Sequence, residues 1–180
     1  MKKVVVTGGA GFIGSHLAEE LISKGYEVHV IDNLANGRQE DVPAGAIFYK
    51  LDIIDTSEIA PIFKDAYAIF HLAALPRIPF SFDFPRESHD ANINGTFSVL
   101  MAARDGKVGR VIYAASSSSY GQQKKIPFTE DMRPNPVSLY SFQKLAGEEY
   151  ARLFSLNYGL PTVSLRFFNV YGPRMRPDGG

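Results

Sequence analysis

The sequence contains no cysteine among its 180 residues. This absence excludes disulfide bonds, zinc sites with thiolate ligands and catalysis by a thiol. Charge of either sign is also not in excess, because 19 lysines and arginines balance 19 aspartates and glutamates. A balanced total gives no reason to expect nucleic acid or an anionic membrane surface as a partner.

Long hydrophobic runs are missing as well, and none approaches the length needed to span a membrane. The N-terminal stretch MKKVVVTGG has two lysines, but its apolar run stops at Gly8; it is too short for a signal peptide and is typical of a strand. The four histidines show no metal spacing, so no metal site is expected. With 45% hydrophobic and 21% charged residues, the composition predicts one cytoplasmic domain without a membrane partner.

Short apolar runs rich in β-formers alternate with helical patterns along the chain. We predict strands at 3–7, 27–31, 46–50, 67–72, 110–115 and 161–168, and helices at 12–25, 56–65, 87–106 and 139–159. Such alternation indicates βαβ units, and the nearly continuous apolar strands indicate a sheet covered on both faces. The predicted fold class is therefore α/β, a Rossmann-like doubly wound parallel sheet, which binds ligands beyond the carboxyl ends of its strands.

Three glycines separate the first predicted strand from the first predicted helix. Gly8, Gly11 and Gly14 have GxxGxxG spacing, and glycines let a pyrophosphate approach the N–H groups at a helix N-terminus. Asp32 follows the second strand, close to the ~20-residue offset typical of an acid that binds ribose. A carboxylate there repels a 2′-phosphate, which favours NAD over NADP. The alternative is a tight turn without a ligand, and the coincidence of all these parts favours the cofactor site.

The stretch LYSFQK places Tyr140 and Lys144 four residues apart at the start of the last predicted helix. On one helix face, the ammonium group is expected to lower the pKa of the phenol and make Tyr140 a candidate general base. Tyr120 and Lys124 have the same spacing, but Gly121 and Pro127 indicate a loop. Tyr140 is therefore the better candidate.

The last predicted helix has an apolar stripe that we expect to face the sheet. It consists of Phe142, Leu145, Ala146, Tyr150 and Leu153. That orientation would place Tyr140 and Lys144 near the carboxyl ends of the strands. The serine run at 116–119 ends the fifth strand at the same edge, where Ser116 could bind a substrate oxygen and relay its proton to Tyr140. The alternative for these serines is a solvated turn.

The glycine loop, Asp32, SSSSYG, YSFQK and LRFFNVYGP together resemble the extended short-chain dehydrogenase/reductase superfamily. Within it, the chain is most similar to NAD-dependent UDP-sugar 4-epimerases that act on UDP-N-acetylglucosamine or UDP-glucose. The resemblance covers essentially all 180 residues. It implies that Tyr140 as phenolate removes the proton of the sugar 4-hydroxyl while hydride passes to NAD. The resulting 4-keto sugar turns over, and hydride returns to its other face.

The resemblance also assigns site residues by their positions in the matching motifs. The residues expected to bind NAD are Gly8, Gly11, Phe12, Ile13, Gly14, Asp32, Asn33, Asp52, Ile53, Leu72, Ala73, Ala74, Tyr140, Lys144 and Phe168. The residues expected to reach the UDP-sugar are Ser116, Ser117, Tyr140 and Asn169, and the catalytic set is Tyr140, Lys144 and Ser116. Asn92 matches a helix asparagine that braces the site, and His71 is expected to be structural.

Two departures from the resemblance shape the functional hypotheses. Relatives that dehydrate the sugar carry acidic residues just after the catalytic hydroxyl, where this chain has Ser117 and Ser118, which favours an epimerase over a dehydratase. Relatives also continue past Gly180 into a substrate domain that grips UDP. We therefore expect residues 1–180 to be an NAD-binding domain without that substrate domain, inactive alone if the UDP grip is needed.

Two further expectations concern a second hypothesis and assembly. A non-catalytic NAD-binding module is the alternative from another functional class, and the intact Tyr140 and Lys144 argue against it.

Relatives often dimerise through two long helices, for which the segments 86–105 and 139–158 are the candidates. An exposed apolar face is expected where the substrate domain would pack.

Overall fold

The computed structural model describes residues 1–176 and contains a six-stranded sheet in the order β3-β2-β1-β4-β5-β6. The strands are β1 (Lys3–Thr7), β2 (Glu27–Ile31), β3 (Ile47–Tyr49), β4 (Ala68–His71), β5 (Val111–Ser116) and β6 (Thr162–Phe167). Every neighbouring pair is parallel. The predicted Rossmann-like doubly wound fold is confirmed, and each predicted strand lies at the expected place.

The helices are α1 (Phe12–Ser23), α2 (Thr56–Phe63), α3 (Ile78–Asp83), α4 (Pro85–His89), α5 (Gly95–Asp105) and α6 (Leu139–Tyr158). The single helix predicted at 87–106 is instead composite, because a π-helical turn at Asp90–Asn94 joins α4 to α5. The short helix α3 was not predicted. It lies between prolines 76 and 85, residues that normally indicate a loop.

The sheet has a hydrophobic core on each face. On one face, α2, α5 and α6 bury side chains such as Phe63, Leu100 and Phe154 against Ile69 and Val111. On the other face, α1 packs on β1 and β2, and its Ala18 and Leu21 meet valines of both strands. These two cores hold the carboxyl ends of the strands at one edge, where the functional site lies.

The helix α6 packs differently from the prediction made for its apolar stripe. Phe142 and Leu153 are 56% and 40% exposed, so the expectation that they face the sheet is wrong. Leu145, Ala146 and Tyr150 are half-buried. The side that is buried carries Ser141, Gln143, Lys144, Gly147, Ala151 and Phe154.

The close approach of α6 to β5 explains this difference. A Cβ added to Gly147 would lie 2.3 Å from the hydroxyl oxygen of Tyr113 on β5, so only glycine permits this contact. The polar side chains at 143 and 144 are buried because they find hydrogen-bond partners on other elements. Hydrophobic periodicity does not reveal such partners.

On the α1 face, one row of residues crosses five of the six strands in register, from β2 to β6: Val30, Val6, Phe70, Ile112 and Val163. Val30 and Val6 are fully buried under α1, Phe70 and Ile112 are partly buried, and Val163 on the edge strand is 47% exposed. Burial therefore decreases steadily toward β6. Among residues 1–176, the half of this face formed by β5 and β6 has no helix packed on it comparable to α1.

Within the described part of the chain, no helix is long and apolar enough to cross a membrane. In the same range, no three His, Cys, Asp or Glu side chains lie together as a possible metal site. His71 is buried, and its ring nitrogens meet the hydroxyls of Thr7 at 2.8 Å and Thr96 at 3.0 Å. It is therefore structural, as expected.

Candidate functional site

A cleft of about 910 Å³ opens at the carboxyl ends of the strands. The structure brings together in its lining all residues expected to contact cofactor or substrate, namely Gly8, Gly11, Phe12, Ile13, Gly14, Asp32, Asn33, Asp52, Ile53, Leu72, Ala73, Ala74, Ser116, Ser117, Tyr140, Lys144, Phe168 and Asn169. They come from the ends of five strands, β1 to β5, from α1 and α6 and from the segment after β6. Asn92 lies behind the cleft wall and is buried.

The glycine loop forms one end of the cleft. A Cβ on Gly14 would lie 2.1 Å from the carbonyl oxygen of Gly8, so the first turn of α1 presses directly on the loop. Gly11 precedes the helix, and a Cβ there would meet only the Gly8 oxygen, at 3.3 Å. The first N–H groups of a helix lack intrahelical partners and attract anions. The bare backbone at Gly11 therefore gives a phosphate access to these groups.

Asp32 stands at the end of β2 and is mostly buried. Its carboxylate accepts hydrogen bonds from the N–H groups of Ala10 at 3.0 Å and Leu34 at 2.8 Å. Burial raises the pKa of Asp32, and these two backbone bonds oppose the rise. Each oxygen holds one backbone bond and can accept another, so the carboxylate can still bind ribose hydroxyls.

Asn33 and Asp52 form the neighbouring wall. The Asn33 amide donates to the Asp52 carboxylate at 2.8 Å, and the Ile54 N–H donates to the other oxygen of Asp52 at 3.0 Å. These contacts join the loops after β2 and β3 into one surface. The surface includes the apolar side chain of Ile53, which is buried.

The other end of the cleft holds Tyr140 and Ser116. The phenol of Tyr140 and the hydroxyl of Ser116, the last residue of β5, both line this end of the cleft. The Ser116 hydroxyl also lies 2.8 Å from that of Ser118 and accepts from the Ser118 N–H at 3.1 Å. Ser81 on α3 accepts from the Tyr140 N–H at 3.2 Å, which fixes the start of α6. Tyr140 and Ser116 are thus positioned as a hydroxyl pair.

Lys144 lies one helical turn after Tyr140 and is almost completely buried. Its ammonium nitrogen donates to the Ala114 carbonyl at 2.9 Å and lies 5.1 Å from the centre of the Tyr113 ring. Burial lowers the pKa of Lys144 to about 8. The cation is therefore held by β5 beneath the cleft.

The expected lowering of the Tyr140 pKa is wrong for this arrangement. Burial raises the pKa of Tyr140, and only the nearby Ser116 hydroxyl opposes that rise. The reason is that desolvation disfavours the phenolate, while Lys144 directs its ammonium toward Ala114. The sequence spacing correctly predicts that Tyr140 and Lys144 lie in the same cleft. It does not predict that desolvation outweighs the effect of the Lys144 charge on the pKa of Tyr140.

Comparisons with known proteins identify the family of this chain. Residues 4–180 match the NAD dependent epimerase/dehydratase family. The chain belongs to this family. The UDP-glucose 4-epimerase of Lactobacillus helveticus is 38% identical over 94% of this chain and 52% of its own length. The UDP-glucose 4-epimerase of Thermotoga maritima, solved with UDP-glucose, gives a TM-score of 0.95 at 38% identity, over 98% of this chain and 59% of that chain.

The UDP-glucose 4-epimerase of Thermus thermophilus, solved in complex with NAD, gives a TM-score of 0.93 at 38% identity. The match covers 98% of this chain and 58% of that chain. This chain therefore spans somewhat more than half the length of the family members it matches. NAD is the cofactor of the family, and the glycine loop and Asp32 fit it because they offer an anion site next to an acceptor for ribose.

Further residues that were not predicted from the sequence also line the cleft, and most of them lie in loops. They are Ala10, Ala35, Asn36, Gly37, Asp41, Leu51, Ile54, Leu75, Pro76, Arg77, Ile78, Glu87, Asp90, Ala91, Ala114, Ala115, Ser118, Phe167, Val170, Arg174, Met175 and Arg176. Ser118 had a signal in the serine run. Arg174 had none, because its two bonds to Glu19 on α1, at 2.7 and 2.6 Å, join positions 155 residues apart.

Proposed function

We propose that this chain is the NAD-binding part of a UDP-glucose 4-epimerase and carries its catalytic base. The observation that carries this proposal is that the phenol of Tyr140 and the hydroxyl of Ser116 line the same cleft as the glycine loop and Asp32. A binding module without catalysis would have no need for a half-buried phenol and a serine hydroxyl at the far end of the cofactor cleft. The relatives that act on UDP-glucose support the choice of sugar.

The residues that would hold NAD follow the cleft from end to end. The loop at Gly8, Gly11 and Gly14, with Phe12 and Ile13, offers N–H groups to the pyrophosphate. Asp32 and Asn33 would hold the adenosine ribose, Asp52 and Ile53 the adenine, and Leu72, Ala73 and Ala74 the middle of the cofactor. Lys144, Tyr140 and Phe168 would hold the nicotinamide end. These residues all line the one cleft.

NAD, when bound, supplies the acceptor for hydride from C4 of the sugar and the donor for its return. The chain itself handles the proton. Tyr140 would take the proton of the 4-hydroxyl as a phenolate, a form that the positive charges of Lys144 and of a bound nicotinamide ring would favour. The proton would pass directly or through Ser116, whose hydroxyl can donate and accept at once. In the return step the same proton goes back to the oxygen of the 4-keto sugar. Ser117 and Asn169 would hold the sugar between the two steps.

The residues after Ser116 favour epimerisation over loss of water. Elimination needs an acid next to the catalytic hydroxyl, and Ser117 and Ser118 occupy those places. The Ser118 hydroxyl instead lies 2.8 Å from that of Ser116. A 4-keto sugar held here would therefore be reduced again rather than dehydrated.

The same proposal extends to domains and assembly. Residues 1–180 would form the NAD-binding domain, and the substrate domain of the relatives would grip UDP. That grip matters because positioning of a substrate can supply ~7–11 kcal/mol of the barrier reduction. A homodimer through the helical segments 86–105 and 139–158 would bury exposed side chains such as Phe97 and Leu156.

The decisive experiment follows the nicotinamide absorbance of the purified chain before and after UDP-glucose is added. We expect bound NAD in the wild type and a reduced-nicotinamide signal with UDP-glucose in a protein that includes the substrate domain. Tyr140→Phe should keep NAD and lose the signal by at least about a hundredfold, the contribution of a general base. UDP-N-acetylglucosamine is the second substrate to compare.

Three results would contradict the proposal. Release of a water molecule from the sugar would make the protein a dehydratase. NAD that is bound but never reduced by either UDP-sugar, even with the substrate domain present, would indicate a binding module. Full signal in Tyr140→Phe would exclude the phenol as the base.

A further inference from the structure

Behind the cleft wall, three buried polar side chains meet: Ser88 on α4, Asn92 in the π-helical turn and Gln143 on α6. Ser88 donates to the Gln143 side-chain oxygen at 2.7 Å, and the Asn92 amide donates to the same oxygen at 2.8 Å. This oxygen therefore uses both of its acceptor positions. Gln143 lies between Tyr140 and Lys144 on the buried side of α6.

Asn92 connects this cluster to the cleft. Its side-chain oxygen accepts from the Leu75 N–H at 2.9 Å, and its amide donates to the Leu75 carbonyl at 3.0 Å. Leu75 belongs to the loop after β4 and lines the cleft. Because the Leu75 N–H requires an acceptor, the Asn92 oxygen must point toward it, and its amide then points toward Gln143. The orientation of both amides follows from one backbone group.

We propose that Gln143 is a positioning residue that sets the helix carrying Tyr140 and Lys144 against the cofactor-side loop at Leu75. The inference rests on the proposed function, because the loop and the helix then form two walls of the nicotinamide end. Other hydrogen bonds also hold α6, among them those of Ser81 with the Tyr140 N–H, of Lys144 with the Ala114 carbonyl and of Arg166 with Glu148. The hydrogen bond between Gln143 and Asn92 links α6 through side chains to the backbone of Leu75.

The test removes the side-chain oxygen of Gln143 and keeps a side chain of similar size. Gln143→Met removes the shared oxygen, and Gln143→Glu keeps an acceptor in the same place. Gln122→Met, at an exposed loop position, is the matched control. The first readout is hydrogen exchange of the Leu75 N–H, followed residue by residue by NMR. We expect about a tenfold faster exchange in Gln143→Met, the upper range for one lost hydrogen bond, and wild-type exchange in Gln143→Glu.

A second readout reports on the site itself. The ¹³C signal of the Tyr140 ring, recognised by its loss in Tyr140→Phe, should shift in Gln143→Met and stay in place in Gln122→Met. The NAD dissociation constant of Gln143→Met should rise relative to wild type. Both NMR readouts need no cofactor, so they test the positioning role even if the chain fails to bind NAD, which would contradict only the proposed function.

The opposite pattern would overturn the inference. In a merely structural role, Gln143→Met would accelerate exchange at Leu75 only as much as at amides of β5 and α5. The Tyr140 signal would then stay unchanged. If Gln143→Met does not fold, Ser88→Ala removes one of the two donors and should raise Leu75 exchange about threefold, the lower range for a hydrogen bond. No change at Leu75 in Ser88→Ala would then count against the role.

Discussion

At the scale of single residues, the most unusual feature of this fold is a buried lysine. Lys144 is desolvated, its ammonium group contacts one carbonyl oxygen and one aromatic ring, and its pKa is lowered to about 8. Such a cost to stability is retained in proteins where function needs the group. Here the lysine lies under the wall that carries the proposed base.

This cost predicts a pH dependence of stability. Between pH 8 and about 10, the folded lysine has lost its proton while the unfolded one keeps it, so stability should rise with pH. We expect the free energy of unfolding of wild type to rise relative to that of Lys144→Met, by at most about 1.4 kcal/mol per pH unit. Urea unfolding at several pH values measures it, with the exposed Lys124→Met as control. If the free energies of unfolding of wild type and Lys144→Met change equally with pH, the argument that burial lowers the Lys144 pKa is refuted.

Residues with a motif could be placed from the sequence, and residues without one could not. Tyr140, Ser116 and Asp32 were placed because each follows a strand or opens a helix at a spacing that has a chemical reason. Gln143 was missed because its partners, Ser88 and Asn92, lie more than fifty residues away in sequence. A buried amide shows its purpose only when the tertiary contacts are known.

At the scale of elements, α6 depends on how it begins. Ser138 caps the helix, accepting from the Ser141 N–H at 3.1 Å, and Ser141 closes the capping box by accepting from the Ser138 N–H at 2.9 Å. Tyr140 lies inside this first turn. The cap therefore stabilises the turn that holds the proposed base.

Removal of the cap should weaken this turn. Ser138→Ala is expected to lower the free energy of unfolding by about 1 kcal/mol, whereas Ser138→Asp, also a good N-cap, should stay close to wild type. Urea denaturation measures the difference. Equal losses in both variants would show that the side-chain hydroxyl, rather than capping, matters at this position.

The bounds of the six strands were predictable to within about one residue because each strand is a short run of mostly apolar residues, although β3 and β6 at the sheet edges are partly exposed. The composite helix around the π-helical turn could not be predicted, because the extra residue in that turn has no signature in hydrophobic periodicity. The buried side of α6 could not be predicted either, because Gly147 and Gln143 are not large apolar residues. Packing of β5 against α6 favours a glycine there over the leucines and phenylalanines that a periodic pattern selects.

At the scale of the whole molecule, the sheet row that ends at Val163 is only half covered. Its apolar side chains continue on β6 with Leu165, which is 41% exposed and lies beside Ala114 of β5. A doubly wound sheet buries both faces, and the members of the family that this chain matches are nearly twice as long. We propose that their additional part packs on this row.

Because the β6 end of this row is exposed in residues 1–176, we expect the 180-residue chain to associate with itself through that end. The double variant Val163→Lys with Leu165→Lys is expected to lower the association measured by sedimentation velocity, while its own stability changes by less than about 0.5 kcal/mol because both positions are exposed. Ile47→Lys on the opposite edge strand, where the side chain is 45% exposed, is the control. Leu156→Lys on α6 tests the helix-mediated dimer instead. If association persists in the double variant and disappears in Leu156→Lys, the helices mediate self-association. The proposal that a further part of the protein packs on the row at Val163 then loses its support.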